Sequence, residues 1–242
     1  MALLLSFDTA TPHCAVVLSE DGRPIAQRVQ DDGRLSHAEK LNVFIGAVME
    51  EAGRELRDLD AIGVGTGPGS YTGLRIGLSA AKGLCFALDL PLMALPTLDI
   101  LAFELVQREV EGNGGPLFGP ASADRAYPMV DARRMEVWTH AYDDAGGRTA
   151  SAIPLVLDDP WAVASVRHGR PVVFGDGADK ATTLWAAHPG ILHVPGIRPS
   201  VRGLAACAAA TFHASGFTDP VSLVPQYGKE ANLTRPRAGG QH

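Results

Sequence analysis

The sequence predicts an α/β protein made of two related halves, each built on a mixed sheet, and three observations carry that reading. Ala61 to Leu88, AIGVGTGPGSYTGLRIGLSAAKGLCFAL, passes from a short apolar run through a glycine-rich turn into a helically spaced pattern, hence strand, loop and helix. Three strand-like stretches in series open the chain. The order restarts near Met129, where Asp131 stands at a strand end as Asp8 does in the first half, and Val172 to Gly177 repeats the passage from strand to glycine loop.

Taken in order, Leu3 to Phe7, Cys14 to Leu18 and Ile25 to Val29 read as strands, with Glu20-Asp21-Gly22 as a hairpin turn. Ser36 and Glu39 form a capping box, after which Leu41, Phe44, Ile45, Val48, Met49, Ala52 and Leu56 follow one helical face. After the glycine-rich unit come a strand from Leu90 to Leu95 and a helix from Thr97 to Val110. EGNGGPLFGPASADR, residues 111–125, is dense in glycine, proline and small polar residues and reads as a mobile connection. In the second half Val137 to Tyr142 and Ala152 to Leu157 are strands joined by a turn at Asp144 to Gly147. Ser200 caps an alanine-rich helix from Leu204 to His213, and the tail from Asn232 is polar and frayed. The expected units are thus 1–110, a connection at 111–126, 127–231, and a tail at 232–242.

Composition narrows the class. A chain of 242 residues with 46% hydrophobic and 20% charged residues can bury a sizeable core and belongs with soluble globular proteins. Met1 to Phe7 has no basic n-region and reads as a buried strand, so a cytoplasmic location is expected. Cys14, Cys85 and Cys207, an odd number with no C-x-x-C, argue against a disulfide framework or a zinc site. A net charge of −6 without a basic run leaves no nucleic-acid footprint, so any nucleic acid would be held chiefly by a partner.

The glycine-rich loop offers chemistry. Gly65, Gly67 and Gly69 leave backbone N–H groups open at a helix N-terminus, with Ser70 or Thr72 as cap, an arrangement suited to an anion. It has neither the Walker ending nor the dinucleotide fingerprint, and a tight α/β connection reads equally from it. Within the helix, Gly73, Gly77 and Ala81 recur every four residues as a smooth stripe. Each glycine costs about 1 kcal/mol against alanine, so a backbone must approach there, from this chain's own sheet or from another subunit. Arg75 stands near the positive dipole end, where a cation needs an anion or an acidic partner or is simply solvated. His188 and His193 are five apart with Pro189 and Gly190 between them, which breaks any shared metal-binding face.

GTGPGSYTGLRIGLSAAKGL, with SFDTAT near the start and VDARRMEVW in the second half, resembles the TsaB (YeaZ-like) family, the accessory subunit of the machinery that makes threonylcarbamoyladenosine in tRNA. SFDTAT is shared in outline with the actin and sugar-kinase superfamily, so the resemblance implies a duplicated actin-like fold. Met135 after DARR and Gly228-Lys229 after Tyr227 depart from the family pattern. The resemblance implies a non-catalytic subunit that binds TsaD, with TsaE joining, for threonylcarbamoylation of N6 of adenosine 37 in tRNAs reading codons that start with A. It implies a partner surface, self-pairing as a homodimer in isolation, on Ser36, His37, Leu41, Phe44, Ile45 and Val48 of one helix and Gly73, Leu74, Arg75, Gly77, Leu78 and Ala81 of the other. In the superfamily the strand-end aspartates face nucleotide phosphates, which makes Asp8, Thr9, Gly67, Gly69 and Ser70 candidate anion contacts; the alternative for each aspartate is a turn cap. No cofactor of its own is expected, with ATP or ADP at the interface of the complex. Two other readings stand beside this one: an ATPase or phosphotransferase of the same superfamily, and a metallopeptidase, for which no helical histidine pair exists.

Overall fold

The computed structural model describes residues 1–11, 14–30, 37–111, 124–143, 146–167 and 169–227. The first sheet contains β1 (Leu3–Asp8), β2 (Cys14–Glu20), β3 (Arg23–Gln30), β4 (Ala61–Gly67), β5 (Leu92–Pro96) and, from the far end of the chain, β11 (Phe217–Thr218). The second contains β6 (Arg125–Asp131), β7 (Glu136–Thr139), β8 (Ile153–Val156), β9 (Pro171–Phe174) and β10 (Leu192–Val194). Their orders, β11-β5-β4-β1-β2-β3 and β10-β9-β6-β7-β8, hold the same five-strand unit. In each, the first strand pairs antiparallel with the second and parallel with the fourth, the second pairs antiparallel with the third, and the fourth and fifth are parallel. The repeat read from two strand-end aspartates is therefore a repeat of topology.

The period of two in β1 divides the first core. Leu3, Leu5 and Phe7 join the cluster under α1 (His37–Glu51) and α2 (Tyr71–Leu88), whereas Leu4 joins the opposite cluster, under α3 (Thr97–Glu111) and α7 (Val201–His213). α3 serves both sheets, with Ile100 in the second of these clusters and Leu98, Leu101 and Leu105 packed with Val130, Trp138 and Phe174 of the second lobe. Three short helices complete that lobe: α4 (Asp159–Ser165), α5 (Asp176–Asp179) and α6 (Thr182–Ala187). No described helix is long and apolar enough to cross a membrane.

Several expectations change. The unit proposed for 127–231 does not run to its end, because α7 lies on the first sheet and β11 pairs with β5. Alanines and Gly203 make this return physically workable: a Cβ on Gly203 would sit 2.7 Å from the Ile100 carbonyl oxygen, so only glycine lets α7 seat on α3. Of the connection 111–126, Glu111 closes α3 and Arg125 and Ala126 open β6, while 112–123 lie outside the described residues. The tail from Asn232, Ser36, and Asp144 and Ala145 of the expected turn lie outside them too. α1 ends at Glu51, and Leu56 falls in a separate 3-10 turn, Leu56–Asp58.

The helix stripe resolves in favour of the chain's own backbone. A Cβ on Gly73 would lie 2.0 Å from the Thr9 carbonyl oxygen, and one on Gly77 would lie 2.4 Å from Thr9 Oγ1. The Thr9 hydroxyl donates to the Gly73 carbonyl at 2.7 Å. Gly73, Leu74, Gly77, Leu78 and Ala81 are all buried within the monomer, and so are Leu41, Ile45 and Val48. These eight residues, expected on a partner surface, are core; the helices are amphipathic, and the small stripe is the inner face. Gly77→Leu should therefore act within the monomer: overpacking against Thr9 is expected to destabilise by about 3 kcal/mol, read as a fall in denaturant midpoint. Gly83, with open space around it on the outer side of α2, gives the converse: Gly83→Ala should raise stability by about 0.5–1 kcal/mol in the same measurement.

Candidate functional site

A cleft of about 1080 Å³ opens between the lobes. One wall is the N-terminus of α2, where Ser70 accepts from the Gly73 N–H at 3.2 Å and caps the helix, with Gly69, Tyr71 and Thr72 beside it. The facing wall is the turn between β6 and β7. There Arg133 and Arg134 both take left-handed conformations, φ 73° and 51°, uncommon for non-glycine residues. Asp131 sets this turn by accepting from the Arg133 N–H at 2.8 Å. Both arginine side chains are exposed and line the cleft opposite the helix N-terminus. Tyr227 stacks on Tyr71 with ring centroids 4.4 Å apart and closes one side.

The two strand-end aspartates meet different surroundings. Asp8 is buried: Oδ1 accepts from the Ala10 N–H at 2.8 Å, while Oδ2 has no partner. It fills the space that a Cβ on Gly65 would need, 2.1 Å from Oδ1, and so points into β4 and away from the cleft. Burial raises its pKa from 3.8 to about 6, against the pull of the Ala10 and Thr9 backbone hydrogen bonds. Asp131 is exposed and bound to Lys180, whose ammonium also donates to the Glu136 carbonyl at 2.6 Å. Behind it Asp176 accepts from the Asp131 N–H at 3.2 Å, and its own burial raises its pKa.

Of the expected anion contacts, Gly69 and Ser70 reach the cleft. Asp8 and Thr9 are interior groups that hold the loop against β4 and α2, a correction whose cause is the close approach at Gly65, Gly73 and Gly77. Gly67 is buried at φ 99°, near the Gln226 carbonyl, where its role is conformational. Arg133, Arg134, Tyr71 and Tyr227 were not among the expected contacts. The signal for the arginines was present, since the DARR run begins with the repeated aspartate, Asp131, but nothing in the spacing says that the turn folds back across a cleft. His188 and His193 pair separately with Asp159 and Asp179, each at 2.8 Å. Among the described residues no three His, Cys, Asp or Glu side chains converge as a metal site.

A second surface lies on the outer side of α1 and α2. A groove of about 560 Å³ runs between them, bordered by Asn42 on α1 and by Thr72, Arg75 and Ser79 on α2. Arg75 is the one expected α2 partner residue that is exposed; its guanidinium stands 5.3 Å from the Tyr71 ring centroid and donates to the Tyr71 hydroxyl at 3.2 Å. Phe44 is half-buried against the core, and the side chain of His37 lies outside the described residues. On the same two helices large apolar side chains remain in solvent: Tyr71, which lines the groove, at 47% exposure, and, outside its lining, Phe86 at 93% and Val43 at 65%.

Comparison with known proteins agrees with this geometry. The family model for TsaD, tRNA N6-adenosine threonylcarbamoyltransferase, matches residues 33–173. The tRNA threonylcarbamoyladenosine biosynthesis protein TsaB of Bacillus subtilis is 30% identical over 174 residues, 71% of this chain and 69% of that one. The Escherichia coli protein of the same name is 32% identical over 145 residues, 60% of this chain and 57% of that one. The solved structure of YeaZ from Pseudomonas aeruginosa superposes with a TM-score of 0.69 at 26% identity, covering 94% of this chain and all of that one. With the glycine-rich unit seated on its own first strand, two sheets of one repeated topology and these relatives, the chain belongs to the TsaB (YeaZ-like) family and has its actin-like α/β fold.

Proposed function

We infer that this protein is the non-catalytic subunit of a tRNA threonylcarbamoyladenosine complex and that it docks TsaD through the outer face of α1 and α2, with TsaE joining the pair. The observation that carries the docking reading is the set of large apolar side chains exposed on α1 and α2, Val43, Tyr71 and Phe86, with the groove between the two helices lined by Tyr71 and Arg75. Exposed apolar residues grouped on two adjacent helices are expensive for a lone soluble chain and are explained by a partner that covers them. In isolation the same face would pair two copies about a two-fold axis. Transfer to N6 of adenosine 37, in tRNAs reading codons that start with A, then belongs to the TsaD partner. The net charge of −6 is consistent with tRNA being held elsewhere in the assembly, and ATP or ADP with a place at the interface of the complex.

The non-catalytic reading is supported by how the acids are used. A phosphotransferase of this superfamily needs an ionised aspartate facing the cleft. Here Asp8 is buried against Gly65 of β4 and does not line the cleft, and Asp131 is engaged by Lys180. The stand-alone ATPase reading is left with one cleft-lining carboxylate at the repeated positions, Asp131, which is ion-paired with Lys180.

Two measurements test these statements. Val43→Asp combined with Phe86→Asp should reduce capture of co-expressed TsaD at least about tenfold, about 1.4 kcal/mol, while the unfolding midpoint stays within about 0.5 kcal/mol of the parent. Unchanged capture by this folded variant would move the interface away from these helices. For Asp8, an acid whose folded pKa lies above its unfolded value binds its proton more tightly when folded, so the fold gains stability as pH falls through about 6. Between about pH 7 and about pH 4.5 that gain should be about 2 kcal/mol in the parent and absent from Asp8→Asn, as read by the difference between their urea unfolding curves. Asp8→Asn should still support threonylcarbamoyladenosine formation by the reconstituted complex; loss of that activity in a folded variant would return Asp8 to the catalytic machinery.

A further inference from the structure

The cleft between the lobes and the groove between α1 and α2 share two residues, Tyr71 and Thr72, both exposed. Tyr71 makes contacts toward each space. It stacks on Tyr227, which lines the cleft, and its hydroxyl accepts from Arg75, which lines the groove. The outer face of the two helices is thus continuous with the cleft, and the arginine turn stands across it.

That turn is held by its own backbone: the Ala132 N–H donates to the Glu136 carbonyl at 3.0 Å, and the Glu136 N–H to the Arg133 carbonyl at 3.1 Å. Its side chains are unspent. Among the described residues neither the Arg133 nor the Arg134 guanidinium has a hydrogen bond or an ion pair, and both are exposed. Arg75 contacts only Tyr71 and has no carboxylate partner among the described residues. Three arginines without a counter-charge therefore border one continuous surface of a chain whose net charge is −6.

Guanidinium groups select oxyanions, either carboxylate or phosphate, and the other lining residues decide between them. Asp131 and Glu136 line the same wall as the arginines. A polyphosphate or an RNA backbone would bring closely spaced charges against these two acids. Carboxylates spread along a peptide can meet the arginines one at a time, and the peptide's own N–H groups suit the acids. Size points the same way, since about 1080 Å³ exceeds the roughly 300–1,000 Å³ of drug-sized sites. A length of extended chain fits such a space.

We propose that a protein partner seated on α1 and α2 sends an acidic extended segment past Tyr71 into the cleft, with its carboxylates on Arg133 and Arg134. The proposal rests on the docking reading and gives the same partner a second, electrostatic contact.

The test uses the full chain co-expressed with TsaD. A photo-crosslinking residue, p-benzoylphenylalanine, placed at Ala132 in the cleft lining should couple to a TsaD segment rich in Asp and Glu, mapped by mass spectrometry. Arg133→Asn combined with Arg134→Asn removes both charges and keeps residues that tolerate a left-handed backbone. It should weaken capture at least about tenfold in about 50 mM salt and far less in about 300 mM, where exposed charges are screened. If this folded variant captures TsaD as the parent does while Val43→Asp with Phe86→Asp does not, the docking reading stands and this proposal falls. If the Val43→Asp, Phe86→Asp variant captures as the parent does, both fall. A crosslink from Ala132 to a segment without acids, to tRNA, or to nothing also overturns the proposal, and that arm keeps both arginines intact should the double variant not fold.

Discussion

Thr9 lying across α2 is the contact on which the rest of the first lobe depends. Its carbonyl and hydroxyl occupy the places that side chains at positions 73 and 77 would need, and its hydroxyl donates to the Gly73 carbonyl. Two consequences follow from this one crossing. Asp8 is drawn inward beside Gly65 with one oxygen unpaired, so the strand-end acid that could face a phosphate becomes part of the core. At the same time the small-residue stripe of α2 is consumed inside the monomer, and the opposite stripe, with Arg75, Ser79 and Phe86, is what remains for a partner.

The architecture was legible in the sequence because it is written in periodicity. Strand alternation, the Ser70 cap and the helix span Tyr71 to Leu88 are local properties, and the second half repeats the order of the first. Which side of α2 faces inward was not legible. A stripe of glycines requires a neighbouring backbone, but whether that backbone is Thr9 or a second subunit depends on a contact 64 residues away in the chain. The return of α7 and β11 to the first sheet was hidden for the same reason, since an alanine-rich helix can seat on either lobe. α4, by contrast, carried a readable start that was passed over: Asp158 accepts from the Trp161 N–H at 2.9 Å, and Pro160 follows in the first turn. The cleft was half legible, its glycine loop being evident and its arginine turn becoming visible only when the hairpin is placed opposite.

The duplicated sheets have kept topology and diverged in chemistry. At one repeated position the carboxylate is dry and its pKa is raised by burial; at the other it is exposed and fastened to a lysine. The arginine turn stands apart, being both backbone-strained and open to solvent.

The return of α7 bears on how the protein is made. Leu4, Val17, Met93 and Leu95 lie on a sheet face whose cover includes Leu204, Ala205 and Ala208, near the end of the chain. On the ribosome this face has only α3 over it from Pro96, where β5 ends, until α7 is added from Val201, whereas the strands of the second sheet are complete once Val194 has emerged. The N-terminal lobe is thus the last to close, against the usual N-to-C order of domain folding. A nascent chain of this protein carries a half-covered apolar sheet face until α7 is made.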